Sequence, residues 1–319
     1  MSTELHQLAR RSTHQSTNTF VEDGDPFEYQ EGSRLDPNGD NFNARAWAKA
    51  VMNFQRKDTH FLERSVGVVW SNVSAFGHGS GSDYQKTVGN YVFGLSTLVS
   101  KLAGRKSSRI DILRNNCGLL RPGEMLVVLA PPGSGSSTFL KTLAGETYGY
   151  SLVADSHINY SGVSYEDMHS RFRGEAIYTA EQDIHFPNMT VGDTLYFAAR
   201  ARAPKDIPGR LSPRAYAEIS RDVIMSTFGI KHTINSNVGN DFIRGVSGGE
   251  RKRVTIAEAA LSNSPLQFWD NSTRGLDSAT AIEFCRTLKT QSEICGVTTA
   301  VAIYQYVAIV ISVLSTDHS

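Results

Sequence analysis

The chain has 319 residues, with 32 Lys+Arg against 32 Asp+Glu, so its formal charge is zero. A balanced charge supplies no global field for nucleic acid or an anionic membrane surface. Hydrophobic residues make up 40% and charged residues 20%, which excludes wholesale disorder and, at about 150 residues per domain, leaves room for about two domains.

Residues 1–40 are rich in Ser, Thr, Gln, Asp and Gly and lack hydrophobic periodicity. They read as a disordered tail, without the apolar run of a signal peptide. Residues 41–85 read as an N-terminal extension and linker. Within it, Ala44, Trp47, Val51 and Phe54 recur at helical spacing over 43–58, and VGVVW at 66–70 is strand-like. AFGHGSGSD (75–83) carries glycines at alternate positions; with no apolar strand feeding it and no helix leaving it, it reads as a flexible linker.

From about residue 88, strand and helix signals alternate, which argues for an α/β sheet. Met125–Leu129 (MLVVL) is a buried-type strand that leads into APPGSGSST (130–138) and then FLKTLAGE. Strand, glycine loop and helix form a P-loop arrangement, in which backbone N–H groups and a helix N-terminus hold phosphate. Measured against G-x-x-x-x-G-K-[ST], Ala130 stands at the first glycine and Gly133 within the loop. Gly135 is the second glycine of the pattern, Ser136 replaces the lysine, and Ser137 supplies the magnesium-side hydroxyl, followed by Thr138. Ser136 brings no positive charge to the phosphates, a loss of about 1.5–3 kcal/mol per charge-assisted bond. Ala130 costs on the order of 1–2 kcal/mol only if its backbone is left-handed.

VSGGERKRVTIAEA (246–259) is the second signal. Ser247 can cap a helix, and Gly248 and Gly249 let backbone approach a ligand closely. Then come LQFWD (266–270) and NSTRGLDSATA. Together these segments resemble, in order and spacing, the signature, Walker B aspartate (Asp270) and D-loop (GLDS, 275–278) of ABC ATPases. The departures resemble the N-terminal nucleotide-binding domain of fungal pleiotropic drug resistance transporters. Those proteins replace the Walker A lysine, here Ser136, and carry asparagine after the Walker B aspartate, here Asn271. They also have glutamate at the Q-loop, here Glu181, and tyrosine at the switch position, here Tyr304. LDPNGDNFNARAW (35–47) resembles the start of that group's N-terminal extension, and the resemblance runs to Gln305.

The resemblance implies a P-loop NTPase fold: a RecA-like α/β core, an antiparallel β subdomain, and a helical subdomain over about 190–260 that ends in the signature. It implies ATP and Mg2+ as cofactors, the metal between Ser137 and Asp270. Domains of this family pair head to tail, so Ser247, Gly248, Gly249 and Glu250 would close over ATP held by a second ABC domain. A transmembrane domain lies outside this chain, and no nucleic-acid partner is expected. The implied place is the cytoplasmic face of a membrane in a full transporter, or the cytoplasm for a fragment alone. The chemistry then predicts poor hydrolysis, because Asn271 cannot accept a proton and loss of a general base costs about 10²–10⁴-fold.

By that resemblance, residues 86–305 are an ABC domain incomplete at its C-terminal end, and 306–319 a divergent apolar tail. A truncated, non-transporting remnant and, more distantly, a soluble ABC ATPase are the alternatives. Val297–Leu314 has no charged residue but reads as a core strand plus that tail rather than a membrane span. The three cysteines, Cys117, Cys285 and Cys295, show no CxxC spacing, which fits a reducing compartment; the sequons at Asn72, Asn159, Asn188 and Asn271 read as chance. Lys141 reads as a solvated surface lysine, Glu250–Arg253 as the polar face of a helix, and His185 as structural. Tyr91 and Phe93 are candidates to stack on adenine.

Overall fold

The structure is a computed structural model that describes residues 25–57, 64–79, 108–205, 207 and 211–304. Tyr91, Phe93, residues 80–83, Gln305 and the 306–319 tail lie outside the described residues. The chain divides into two compact units, before and after Phe61.

In the first unit, residues 25–43 form hydrogen-bonded turns, although composition alone places residues up to 40 in a tail. The reason is the buried Asp36, whose carboxylate accepts the N–H groups of Gly32 and Asn38, each at 2.8 Å. Helix α1 (Ala44–Arg56) follows, capped by the Asn43 side chain on the Ala46 N–H. Its inner face buries Trp47, Ala50 and Met52, and the Phe27 ring packs edge-on against Trp47 and Phe54.

The second unit opens with two long antiparallel strands, β1 (Val68–Gly79) and β2 (Ser108–Leu120). Residues 75–79, expected as linker, are therefore strand: Phe76 pairs with Asp111 and Gly77 with Ile110. Their glycines hid the pattern, because strand pairing supplies the order that local propensity lacks. The parallel sheet begins with β3 (Met125–Leu129) and passes through the P-loop into helix α2 (Ser136–Ala144). Short strands β4 (Ser151–Leu152), β5 (His157–Tyr160) and β6 (Val163–Ser164) complete the antiparallel sheet, in the order β2-β1-β5-β6 with β4 on β1. Helix α3 (Tyr165–Ser170) and strand β7 (Ala176–Thr179) follow.

Helices α4 (Val191–Ala201), α5 (Pro213–Thr227) and α6 (Gly248–Ala260) occupy the region expected to be the helical subdomain. Strand β8 (Leu266–Asp270), helix α7 (Ser278–Cys295) and strand β9 (Thr298–Ile303) close the described core. The second sheet has the order β3-β9-β8-β7 and is parallel throughout. Its two central strands, β8 and β9, are buried at every residue, as strands covered on both faces must be.

Alternation along those strands divides the core. Leu266, Phe268, Ala300 and Ala302 pack with α2 and the β1–β2 layer, while Trp269, Val301 and Ile303 pack with α4 to α7. Thr298–Ile303 is thus a central strand and not part of a span. Among the described residues, no helix is long and apolar enough to cross a membrane.

Candidate functional site

Parallel sheets place ligands beyond the carboxyl ends of their strands, where loops leave for the helices. The P-loop leaves β3 at that end. Gly133 (φ 82°) and Gly135 (φ 93°) take left-handed backbone there, which residues with a Cβ adopt only with strain. A Cβ on Gly133 would meet nothing within 4 Å, whereas one on Gly135 would press the Ile112 carbonyl at 3.1 Å. Gly133 therefore serves loop shape, and Gly135 serves both shape and close approach to β2. Ala130 does not take a positive φ, so its replacement of the first glycine carries no strain.

Helix α2 starts directly after Gly135 without a side-chain cap. The other described α-helices are capped by Asn43, Ser164, Thr190, Ser212, Ser247 and Asp277. The first-turn N–H groups of α2, from Ser136 to Thr138, thus lack the acceptor that side chains supply elsewhere. An anion is the ordinary acceptor for such a terminus.

Ser136 is buried, and its Oγ lies 2.5 Å from the Oη of half-buried Tyr304. Leu129 and Ile303 are register partners in β3 and β9, so the P-loop and Tyr304 leave adjacent strands at the same end. Ser136 and Tyr304 therefore contact each other, across 168 residues of sequence.

Asp270 ends β8 and is 2% exposed. Its Oδ2 accepts the Tyr178 hydroxyl at 2.6 Å, and its Oδ1 is enclosed without a partner. Burial first, then the Asp270 carboxylate, pushes the Tyr178 phenol far above its ordinary pKa, so it stays a donor. Lys141 is not a free surface lysine: its Nζ lies 5.4 Å from the centre of the Tyr178 ring. Asn271 has left-handed backbone (φ 46°), is buried, and donates its N–H to the Ala302 carbonyl. Its Oδ1 and the hydroxyls of Ser272 and Thr273 are enclosed without partners. Among the described residues, no cluster of three or more His, Cys, Asp or Glu could hold a metal. Of the oxygens expected at a hard cation, on the packed elements α2 and β8, the Ser137 hydroxyl is of the right chemistry, whereas Asp270 has one oxygen engaged by Tyr178 and the other enclosed.

At the signature, Ser247 and Glu250 form a capping box. Glu250 Oε2 accepts the Ser247 N–H and hydroxyl, each at 2.8 Å, and Oε1 lies 2.8 Å from His232 Nε2. These bonds, led by that from the Ser247 hydroxyl, hold the Glu250 carboxyl down at about 2. The Ser247 hydroxyl also accepts the Glu250 N–H at 3.3 Å. The N–H groups of Gly248 and Gly249, at the first helical positions, have no intrahelical acceptor. A Cβ on Gly248 would meet nothing within 4 Å, so this backbone is open.

The polar face expected over Glu250–Arg253 is interrupted by Lys252, which is 2% exposed. Its Nζ donates to the Glu181 carbonyl at 2.7 Å and pairs with Asp183 at 3.3 Å. Thr255 donates to Asp183 and lies 2.8 Å from His185 Nε2, and His185 Nδ1 faces Glu258 at 3.3 Å. The His185 ring is thus held between Thr255 and Glu258, with its side chain 3% exposed. The Glu181 side chain pairs with Arg274, which precedes the GLDS turn. Sequence reading missed Tyr178, Lys252 and Arg274; each is an ordinary polar residue in an element, and only its contacts mark it.

Two family models match the chain: ABC-transporter N-terminal over residues 4–91, and ABC transporter over residues 113–274. The second spans the P-loop, signature and Asp270, half of the chain. The chain belongs to the ABC transporter family. The first model begins at residue 4, well before the start of the extension read from LDPNGDNFNARAW.

Among its ABC relatives, the chain is 60% identical over 304 residues to "ABC-type transporter oblD" of Aspergillus clavatus, covering 95% of this chain and 21% of the relative. It is 58% identical over 304 residues to "ABC multidrug transporter A-1" of Aspergillus fumigatus, with the same coverage. It is 54% identical over 303 residues to "ABC multidrug transporter AFR2" of Cryptococcus neoformans, covering 95% of this chain and 20% of the relative. The chain thus spans about a fifth of the relatives it matches, in their N-terminal region. The assignment to the N-terminal nucleotide-binding domain of fungal pleiotropic drug resistance transporters agrees with these matches, and so does the P-loop NTPase fold.

Proposed function

We propose that this chain is an ATP-binding domain that works in a drug exporter at the cytoplasmic face of a membrane. Its own site holds ATP through the 133–138 loop, with the Ser137 hydroxyl on the side where Mg2+ would lie, and hydrolyses it poorly. Its signature, Ser247 to Glu250, completes the ATP site of a second ABC domain. A transmembrane domain of the same transporter carries the substrate path; the names of the multidrug relatives support a drug-like substrate.

The observation that carries this reading is the uncapped start of α2 behind two left-handed glycines. Bound phosphate would satisfy those N–H groups and meet the positive end of the helix. ATP bound with Mg2+ would supply the phosphoryl group for hydrolysis. The residues explain why turnover is poor. Asn271 cannot take a proton from water, Ser136 offers no charge to the developing phosphoryl charge, and Tyr304 brings no imidazole to the γ-phosphate. The open Gly248 and Gly249 backbone supports a partner role for the signature.

Isothermal titration of ATP into the purified chain tests the first part. Binding that is weakened by Gly135→Ala is the expected result; no heat at any ATP concentration overturns it. Mixing the chain with a second, hydrolysis-competent ABC domain tests the rest. A rise in phosphate release that Gly248→Glu removes is expected.

A further inference from the structure

Register decides which residues look at Asp270. In the parallel pair β7–β8, Tyr178 lies opposite Phe268, and Asp270 is two residues further along the same face. The phenol thereby reaches Oδ2 at 2.6 Å, the length of a strong hydrogen bond to a charged acceptor. The other carboxylate oxygen is enclosed by protein. A divalent cation with its water shell needs an accessible oxygen, and Mg2+ gives up its octahedral shell reluctantly. The carboxylate therefore meets the site with one oxygen engaged and one shut away. Lys141 over the Tyr178 ring adds a positive charge beside the same phenol, which further disfavours a cation there.

We propose that Tyr178 is a positioning residue that holds the Asp270 carboxylate away from the metal, so that nucleotide binding at this chain's own site is nearly independent of Mg2+. This rests on the reading of the 133–138 loop as a nucleotide site. The ordinary alternative is that the bond only ties β7 to β8. That role would affect stability and leave the metal dependence of binding unchanged.

The test is a set of ATP titrations on the full chain, in Mg2+ and in excess EDTA. For the wild type, the two dissociation constants should agree within about threefold. Tyr178→Phe keeps the ring beneath Lys141 and frees Oδ2. Its affinity in Mg2+ should exceed that in EDTA by about tenfold, the scale of one released hydrogen bond to a charged group. Tyr178→Leu is the second hydroxyl-free variant, with the same expectation if the phenylalanine protein does not fold. Binding by the wild type that is lost in EDTA overturns the proposal and leaves the nucleotide site standing. An unchanged ratio of affinities in both variants also overturns it. No ATP binding by any form in either buffer overturns the nucleotide reading and the proposal together.

Discussion

Ser136 Oγ and Tyr304 Oη meet at 2.5 Å, so the start of α2 and the end of β9 are joined by one side-chain contact. A lysine at 136 must displace that phenol before it reaches phosphate. Ser136→Lys should therefore tighten ATP binding by about tenfold, the scale of one charge-assisted hydrogen bond. Adding Tyr304→Ala should increase the gain, because the competing hydroxyl is gone. Calorimetric titration of both variants is the check, and equal affinities for wild type and Ser136→Lys would count against the P-loop reading.

The purified chain should show negligible phosphate release. Robust turnover abolished by Asp270→Asn would contradict this. Replacing Asn271 by glutamate should not restore activity to the isolated chain. At φ 46° and 4% exposure, a glutamate there would be strained by about 1 kcal/mol or more and would bury a carboxylate. Thermal unfolding should show a melting temperature several degrees lower than wild type, by roughly 2–4 °C per kcal/mol.

Glu250 makes stability depend on acid. Its folded pKa, about 2, lies below the ordinary value of 4.5. The carboxylate's stabilising bonds are thus fully present above about 4.5 and are lost as pH falls toward 2. Urea midpoints of wild type and Glu250→Gln should differ clearly at pH 7, and the difference should narrow steadily as pH falls from about 4.5 toward 2. A difference that persists unchanged would remove the capping box as its source. Ser247→Ala should cost about 1 kcal/mol at neutral pH, as loss of an N-cap does.

Lys252→Met should destabilise the chain by about 3 kcal/mol. It leaves Asp183 and the Glu181 carbonyl without their buried cation. Because those partners belong to the segment beside Glu181, hydrogen exchange at residues 181–185 should rise in the variant at temperatures where the rest of the sheet remains protected.

Gly145→Ala should also be costly. Gly145 closes α2 in left-handed backbone (φ 80°), and a Cβ there would lie 2.1 Å from the His169 ring. Burial lowers the His169 pKa below its ordinary value, so the unfolded chain binds the extra proton as pH falls through about 6.5. Stability should consequently decline on acidification through that point, and His169→Phe should flatten the decline in chemical unfolding series.

Most of the parallel core was legible in the chain. MLVVL, LQFWD and Thr298–Ile303 are strands because runs of apolar residues bounded by glycine or polar turns can bury both faces. The start of α6 was legible because a capping box is local chemistry, four residues long. What was not legible was decided across long separations. Residues 75–79 became strand because β2 pairs with them, against their own glycines. Residues 25–43 became ordered because one carboxylate, Asp36, gathers their N–H groups.

The sequence by itself determined the family, the order of the motifs and the identity of the residues at each motif position, because these are matters of residue type and spacing. Only the tertiary structure decided who answers whom: Ser136 with Tyr304, Asp270 with Tyr178, Lys252 with the segment after Glu181. Strand register and sheet order bring residues about 70 to 170 positions apart within hydrogen-bond reach. No local pattern encodes those distances, since they follow from which strands lie side by side.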